Sequence, residues 1–132
     1  MYQTAPNHLY VTGVSTSSRV ATFHSATEGR TWIEIDNPGP SGADTDSSSC
    51  AIDGIDDIHV SFWDAGVGSR YVIFDMSTQT WGTAETAFAE TGSPARGMSG
   101  ITVDSANKPH VLTHNFFNTR KYFTGLYFFV EF

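Results

Sequence analysis

The sequence predicts an all-β protein assembled from about three similar units of four antiparallel strands. Three observations lead there. Apolar residues alternate with polar ones in short runs and do not recur every three or four positions, as a helix face requires. Only 16 % of the residues are charged, while 12 glycines and many serines and threonines punctuate the chain. The strand-like runs also return at an interval of about 50 residues.

Taken in order, the strand candidates are "HLYVTGV" (8–14), "RVATFHS" (19–25), "TWIEI" (31–35), "CAID" (50–53), "IHVSFWD" (58–64), "RYVIFD" (70–75), "GITVD" (100–104), "PHVLTHN" (109–115) and "KYFTGLYFFVEF" (121–132). Each is rich in β-branched or aromatic residues and is bounded by turn formers. "TAETAFAE" (83–90) is the one helical suspect, short and without caps. "DNPGPSGADTDSSS" (36–49) and "ETGSPARGMS" (90–99) are rich in Gly, Pro, Ser and Asp and read as loops within one domain, since similar strand groups lie on either side.

The repeat has several anchors. His59 and His110 are 51 residues apart, as are Tyr71 and Tyr122, while Trp32 and Trp81, each preceded by Thr, are 49 apart. Arg19, Arg70 and Arg120 recur at nearly the same interval. Each unit reads as an inner strand, a turn such as "DGIDD" or "DSANK", a second strand carrying His or Tyr, a third strand opened by a basic residue, and a fourth ending in Thr-Trp. A four-stranded unit of this length cannot bury both faces alone, which is the design of a β-propeller blade. The expected blades span roughly 1–48, 49–97 and 98–132; a β-sandwich is the alternative that keeps the all-β class and loses the ring.

The stretch "SATEGRTW" (25–32) resembles the Asp-box of the sialidase-like BNR-repeat propellers: Ser25, Gly29, Thr31 and Trp32 match its pattern, and Thr27 stands at the Asp position. A hydroxyl can take over the side-chain-to-backbone bonding of that turn less strongly than a carboxylate. "DMSTQTW" (75–81) keeps Thr80 and Trp81 and is two residues shorter, and "DGIDDIHVSFWD" and "VDSANKPHVLTHN" look like the Asp-turn-His-Val segments of BNR repeats in sugar-active proteins. The resemblance implies a propeller in which these turns are folding elements remote from the ligand face.

It also raises two catalytic readings. A sialidase clamps a carboxylate with three arginines, and Arg19, Arg70 and Arg120 invite that role. The family's Arg motif near the first blade is missing here, and arginines opening equivalent strands serve equally as structural ion pairs or snorkelled stems. A polysaccharide lyase of this type uses a His and a Tyr as acid and base, and His114 with Tyr122 would be that pair. His59 and His110, each followed by Val, read as satisfied core histidines. The acids of "DTD" (44–46) and "DGIDD" (53–57) lack the spacing of an EF-hand loop and read as solvated turn residues, so neither a metal nor any other cofactor is expected.

Aromatic residues beside polar loops suit sugar binding, because a ring covers the apolar side of a pyranose while Asp, Asn or Arg bonds its hydroxyls. The candidates are Trp63, Asp64, Arg70, Arg96, His114, Asn115 and Phe116. For Trp63 and Phe116, packing between blades is the competing role.

Seven Lys and Arg against 14 Asp and Glu give a net charge of -7, the wrong sign for nucleic acid or an anionic membrane. No apolar run reaches the roughly 18 residues of a membrane helix, and "MYQTAPNH" lacks signal-peptide regions. The one cysteine, Cys50, reads as a small buried strand residue. Three blades are fewer than the four to eight of known rings, and the aromatic tail "LYFFVEF" is a predicted association surface. A homo-oligomer, or a longer parent chain, would complete the ring. The expectation is a non-enzymatic carbohydrate-binding or structural module, extracellular or on a surface or phage-type particle. The alternatives are a glycan-active enzyme completed by another chain and a purely structural scaffold.

Overall fold

A computed structural model of the chain describes residues 2–5, 8–15, 19–36, 45–64, 67–89, 97–115, 120–124 and 128–131. All regular structure among them is β. Sheet 1 comprises β1 (Tyr2–Ala5), β2 (His8–Val14), β3 (Val20–Ser25) and β4 (Ile33–Asp36). Sheet 2 comprises β5 (Thr45–Ile52), β6 (Asp57–Asp64), β7 (Gly68–Asp75), β8 (Thr80–Trp81) and β9 (Glu85–Ala89). Sheet 3 comprises β10 (Gly97–Val103), β11 (Pro109–Asn115), β12 (Arg120–Thr124) and β13 (Phe128–Glu131). Each sheet is an antiparallel meander with neighbours in chain order, and none closes on itself.

In sheet 2 the fourth position is shared. Thr80 and Trp81 pair with Asp75 and Phe74, and Glu85 to Ala89 continue along β7 from Tyr71 to Gly68, so β8 and β9 form one outer strand interrupted at 82–84. The helical suspect at 83–90 is therefore this strand. Ala87 is buried while Glu85 and Thr86 are exposed, and docking on β7 gives an edge strand what an uncapped helical turn lacks. The Thr-Trp pair opens the fourth strand and does not end it. The loop reading of 36–49 is corrected as well: β5 begins at Thr45, because its serines lie opposite β6, Ser49 facing Ser61 and Ser48 facing Phe62. Sheet 1 ends at Asp36 and sheet 2 begins at Thr45, and sheet 2 ends at Ala89 and sheet 3 begins at Gly97.

The middle sheet is covered on both faces. On one, Ile58, Val60, Phe62, Val72 and Phe74 form a cluster with Tyr10 and Val20 of sheet 1. Tyr10 and Trp81 both lie against Phe74, at ring distances of 6.2 and 5.0 Å, and Trp81 Nε1 donates to Ile35 O at 3.2 Å. Cys50 packs half-buried on this cluster. On the other face Tyr71 and Ala87 meet Val111, with Ile73 and Ile101 beside them. Every such side chain removed from water contributes roughly 1.5–3 kcal/mol, so the contacts between sheets hold the unit together. The first strands β5 and β10 lie side by side, and Ile101 N donates to Ser49 Oγ at 3.4 Å.

The two ends of the sheets differ. The β5–β6 and β10–β11 turns and the hairpins after β3 and β7 lie at one end. At the other lie the last residues of β2, β6 and β11 and the first of β3, β7 and β12.

Candidate functional site

The first end is built from self-contained turns. Asp53 accepts from the amides of Ile55 and Asp57, both at 2.9 Å, and Asp104 accepts from Ala106 and Lys108 at 2.8 and 3.0 Å. The left-handed residues Asp56 and Asn107 are 51 positions apart, as are Glu28 and Gln79 in the outer hairpins, so the repeat extends to backbone conformation. Asn107 Oδ1 accepts from Gly54 N at 3.0 Å and ties the second turn to the first. In "SATEGRTW", Ser25 Oγ accepts from Thr27 N and Gly29 N, Thr27 Oγ1 accepts from Thr31 N at 2.9 Å, and Trp32 Nε1 donates to Gly29 O. The Thr27 hydroxyl thus performs the backbone bonding expected of it.

The second carboxylate oxygen of each Asp turn reaches a histidine. His59 Nε2 donates to Asp53 Oδ2 at 3.0 Å, and His110 Nε2 to Asp104 Oδ2 at 3.0 Å. His59 Nδ1 lies 2.6 Å from the Tyr71 hydroxyl, which donates to it while the ring is neutral. This Asp53–His59–Tyr71 chain is sealed between sheets 2 and 3. Burial, with Glu85, Asp53 and Asp57 nearby, raises the phenol of Tyr71 far above its ordinary value, which keeps its proton available for the bond to His59. Burial works to raise the Asp53 carboxyl, but the bonds from His59, Asp57 and Ile55 outweigh it and the group is lowered. His59 is a satisfied core histidine, as the sequence suggested, whereas His110 is bonded to Asp104 but only half-buried and so is not a core residue.

Of the sequence-predicted site residues, Trp63, Asp64 and Arg70 are described with their side chains, and they lie at the other end. β6 ends on Trp63 and Asp64, and the chain reverses into β7 at Gly68, whose φ of 116° suits a residue without Cβ. Register sets Asp64 opposite Gly68 and Phe62 opposite Arg70. Arg70 Nη1 donates to Asp64 Oδ2 at 3.4 Å, and Nη2 donates to Ala84 O at 3.0 Å, inside the break between β8 and β9. One guanidinium therefore joins the end of β6 to the interrupted outer strand. Burial raises the Asp64 carboxyl and Arg70 offsets this only in part. Asp64 Oδ1 and Arg70 Nε are buried with no partner among the described residues.

Trp63 departs from its expected role. It is 1 % exposed and stands on the face turned to sheet 3, beside Ser69, whose hydroxyl meets Ser99 Oγ at 3.1 Å. Its ring packs between sheets and is closed to a pyranose, the competing role weighed for it. Its Nε1 and Ser61 Oγ are further buried groups without a partner among the described residues. Ser61, Ser69, Ser99 and the Ala84 carbonyl are further polar groups of β6, β7, β10 and the β8–β9 break that the sequence does not single out.

His114 and Asn115 close β11 at the same end, with His114 opposite Arg120 and Leu112 opposite Tyr122. The side chains of His114, Asn115, Arg120 and Tyr122 lie outside the described residues, as do Arg96 and Phe116 entirely. The three periodic arginines do not occupy equivalent places: Arg70 faces Phe62, Arg120 faces His114, and Arg19 stands before β3 opposite Ser15. The connections after β2, β6 and β11 differ in length, which shifts the register, so the backbone does not set the three arginines at symmetric positions. Asp44 lies outside the described residues, and the Asp53 carboxylate is engaged in its turn and by His59. No group of metal-ligating side chains occurs among the described residues.

No family model matches the chain, and no curated protein matches it. Among solved structures, a fucose lectin from Kordia zhangzhouensis in complex with methyl-fucoside matches with a TM-score of 0.57 at 12 % identity, over 95 % of this chain and 89 % of that one. At this identity the likeness is one of fold.

Proposed function

We propose that the chain is a non-enzymatic carbohydrate-binding module of the BNR, Asp-box type, its three sheets serving as propeller blades and its ligand end marked by Asp64 and Arg70. The observation that carries the reading is the Asp64–Arg70 pair at the end of β6, whose Oδ1 and Nε bond no described residue; both atoms are buried in the free chain, so binding has to expose them. A sugar hydroxyl both donates and accepts, so an adjacent acceptor and donor suit it. The fold likeness to a fucose lectin supports a carbohydrate over other small ligands. An acidic surface and a glycan ligand together fit an extracellular or particle-borne protein.

An enzyme is the weaker reading. The described His–Tyr pair, His59 and Tyr71, is buried between sheets where no substrate reaches it, and the periodic arginines stand in unequal registers. Three four-stranded sheets fall short of the four to eight of known rings, so the ring is completed by another chain or by a longer parent.

Titration with methyl-fucoside, followed by a glycan array, tests the proposal. Retention of a sugar without its turnover is expected. Absence of binding across the array overturns the carbohydrate reading in favour of a scaffold, and release of product overturns the non-enzymatic one.

A further inference from the structure

We propose that two copies of this chain close a single six-sheet ring, each copy covering the free face of its partner's sheet 3 with its own sheet 1. The inference rests on the propeller reading and specifies the partner that completes it.

The packing inside the chain is directional. Sheet 1 lays the face bearing Tyr10 and Val20 on the Val60 and Phe74 face of sheet 2. Sheet 2 in turn lays its opposite face, bearing Ser69 and Tyr71, on the Ser99 and Val111 face of sheet 3. The remaining face of sheet 3 is therefore the next surface of the same kind. It carries Met98 and Leu112, 61 % and 53 % exposed, beside a groove of about 580 Å³ lined by Gly100, Thr102, His110 and Leu112.

The repeat identifies what this face lacks. Gly100, His110 and Leu112 stand 51 residues after Ser49, His59 and Ser61. His59 and Ser61 are buried at 3 % and 0 %, and Ser49 accepts from Ile101 of the covering sheet. Where sheet 2 places a covered serine, sheet 3 places an exposed leucine, so a larger apolar contact is to be made there. The complementary surface lies at the other end of the chain. Val11 and Phe23 are cross-strand partners on the face of sheet 1 turned away from Tyr10, and exposed Glu34 completes their row. Continuing the internal packing sets that row on Leu112 of the partner. Two copies supply six sheets, inside the range of known rings, whereas one copy or three copies fall outside it.

Light scattering on a size-exclusion column is expected to give twice the chain mass of 14.4 kDa. Leu112→Asp is expected to give a folded monomer, judged by circular dichroism, because Leu112 is exposed in the single chain. Val11→Lys is expected to do the same, with Glu34→Trp, exposed in the same row, replacing it where Val11→Lys fails to fold. Mixing the Leu112→Asp and Val11→Lys chains is expected to restore a dimer, since one of the two contacts is then unaltered and the other pairs Asp with Lys. A monomeric wild type overturns the proposal. So does a sheet-1 variant that remains dimeric on its own, which would mean that the sheet-3 faces pair with each other. A dimer that retains no sugar overturns the carbohydrate reading and leaves this interface standing, and a monomer that binds sugar does the reverse.

Discussion

The Tyr71 hydroxyl lies 2.6 Å from His59 Nδ1, inside the contact between sheets 2 and 3. Removing that hydroxyl leaves the His59 nitrogen buried without its partner, which costs roughly 1–3 kcal/mol. Tyr71→Phe is expected to lower the urea midpoint accordingly without altering sugar binding, because the chain Asp53–His59–Tyr71 lies at the turn end. Loss of ligand affinity in a folded Tyr71→Phe protein would move the site to that end.

Arg70 holds a buried carboxylate and a strand break together. Arg70→Met deprives Asp64 of its charge partner and Ala84 O of its donor, at a cost on the order of 3 kcal/mol. Asp64 is already raised above the ordinary carboxyl value by burial, and losing Arg70 raises it further. A folded-state value above the unfolded one means that protonation favours the fold. The deficit of Arg70→Met is therefore greatest at neutral pH and shrinks as the pH falls toward the unfolded value of 3.8, as denaturation at two pH values will show.

Acid acts on the wild type in two windows. His24 is lowered from 6.5 by burial and by His8, whose Nδ1 accepts from His24 Nε2 at 2.9 Å, with Gln79 and Tyr10 on its other sides. A lowered folded value means that the stability held by neutral His24 is complete above 6.5 and is lost as the pH falls below it. Asp104, bonded by His110 and the Lys108 amide, and Asp75, bonded by the Ser77 hydroxyl and Thr78 amide, are each lowered to about 2. Their contribution is complete above the unfolded value of 3.8 and is lost as the pH falls toward 2. Asp104→Asn is expected to flatten the lower window and His24→Gln the upper one in thermal melts against pH.

The outer hairpin after β3 offers a gain. A carboxylate accepts more strongly than a hydroxyl, so Thr27→Asp is expected to stabilise the protein by about 0.5–1 kcal/mol, with the gain lost when the new carboxyl is protonated. Gly29→Ala is expected to cost about 1 kcal/mol. A Cβ there finds ordinary contact with Leu9 and Trp32 at 3.6 and 3.7 Å, so the cost comes from the φ of 83° alone. Thermal melts of the two variants should move in opposite directions.

The strands legible in the sequence were those whose alternation is sharpened by β-branched or aromatic residues, such as Asp57–Asp64 and Gly68–Asp75. The start of β5 was not, because its pairing face is built of serines that look like loop residues until Ser61 and Ile101 are seen beside them. Glu85–Ala89 resembled a helix because Ala and Glu favour one locally, and its register along β7 overrides that preference. The Asp turns were readable from spacing, yet the carboxylate-to-histidine bond six residues on was not anticipated. Asp64 and Arg70 were placed at one end by their position beside a loop. The burial of Trp63 and the unequal registers of Arg19, Arg70 and Arg120 depend on how sheets stack and how long each connection is, which sequence periodicity does not report.

The most direct test of the account is a backbone amide titration of the labelled protein with methyl-fucoside and, if that is silent, with the best glycan from an array. The account predicts shifts at Asp64, Val67 and Arg70 and none at Gly54 or Asn107. Shifts confined to the Gly54 and Asn107 turns, or no shift with any glycan, would contradict it.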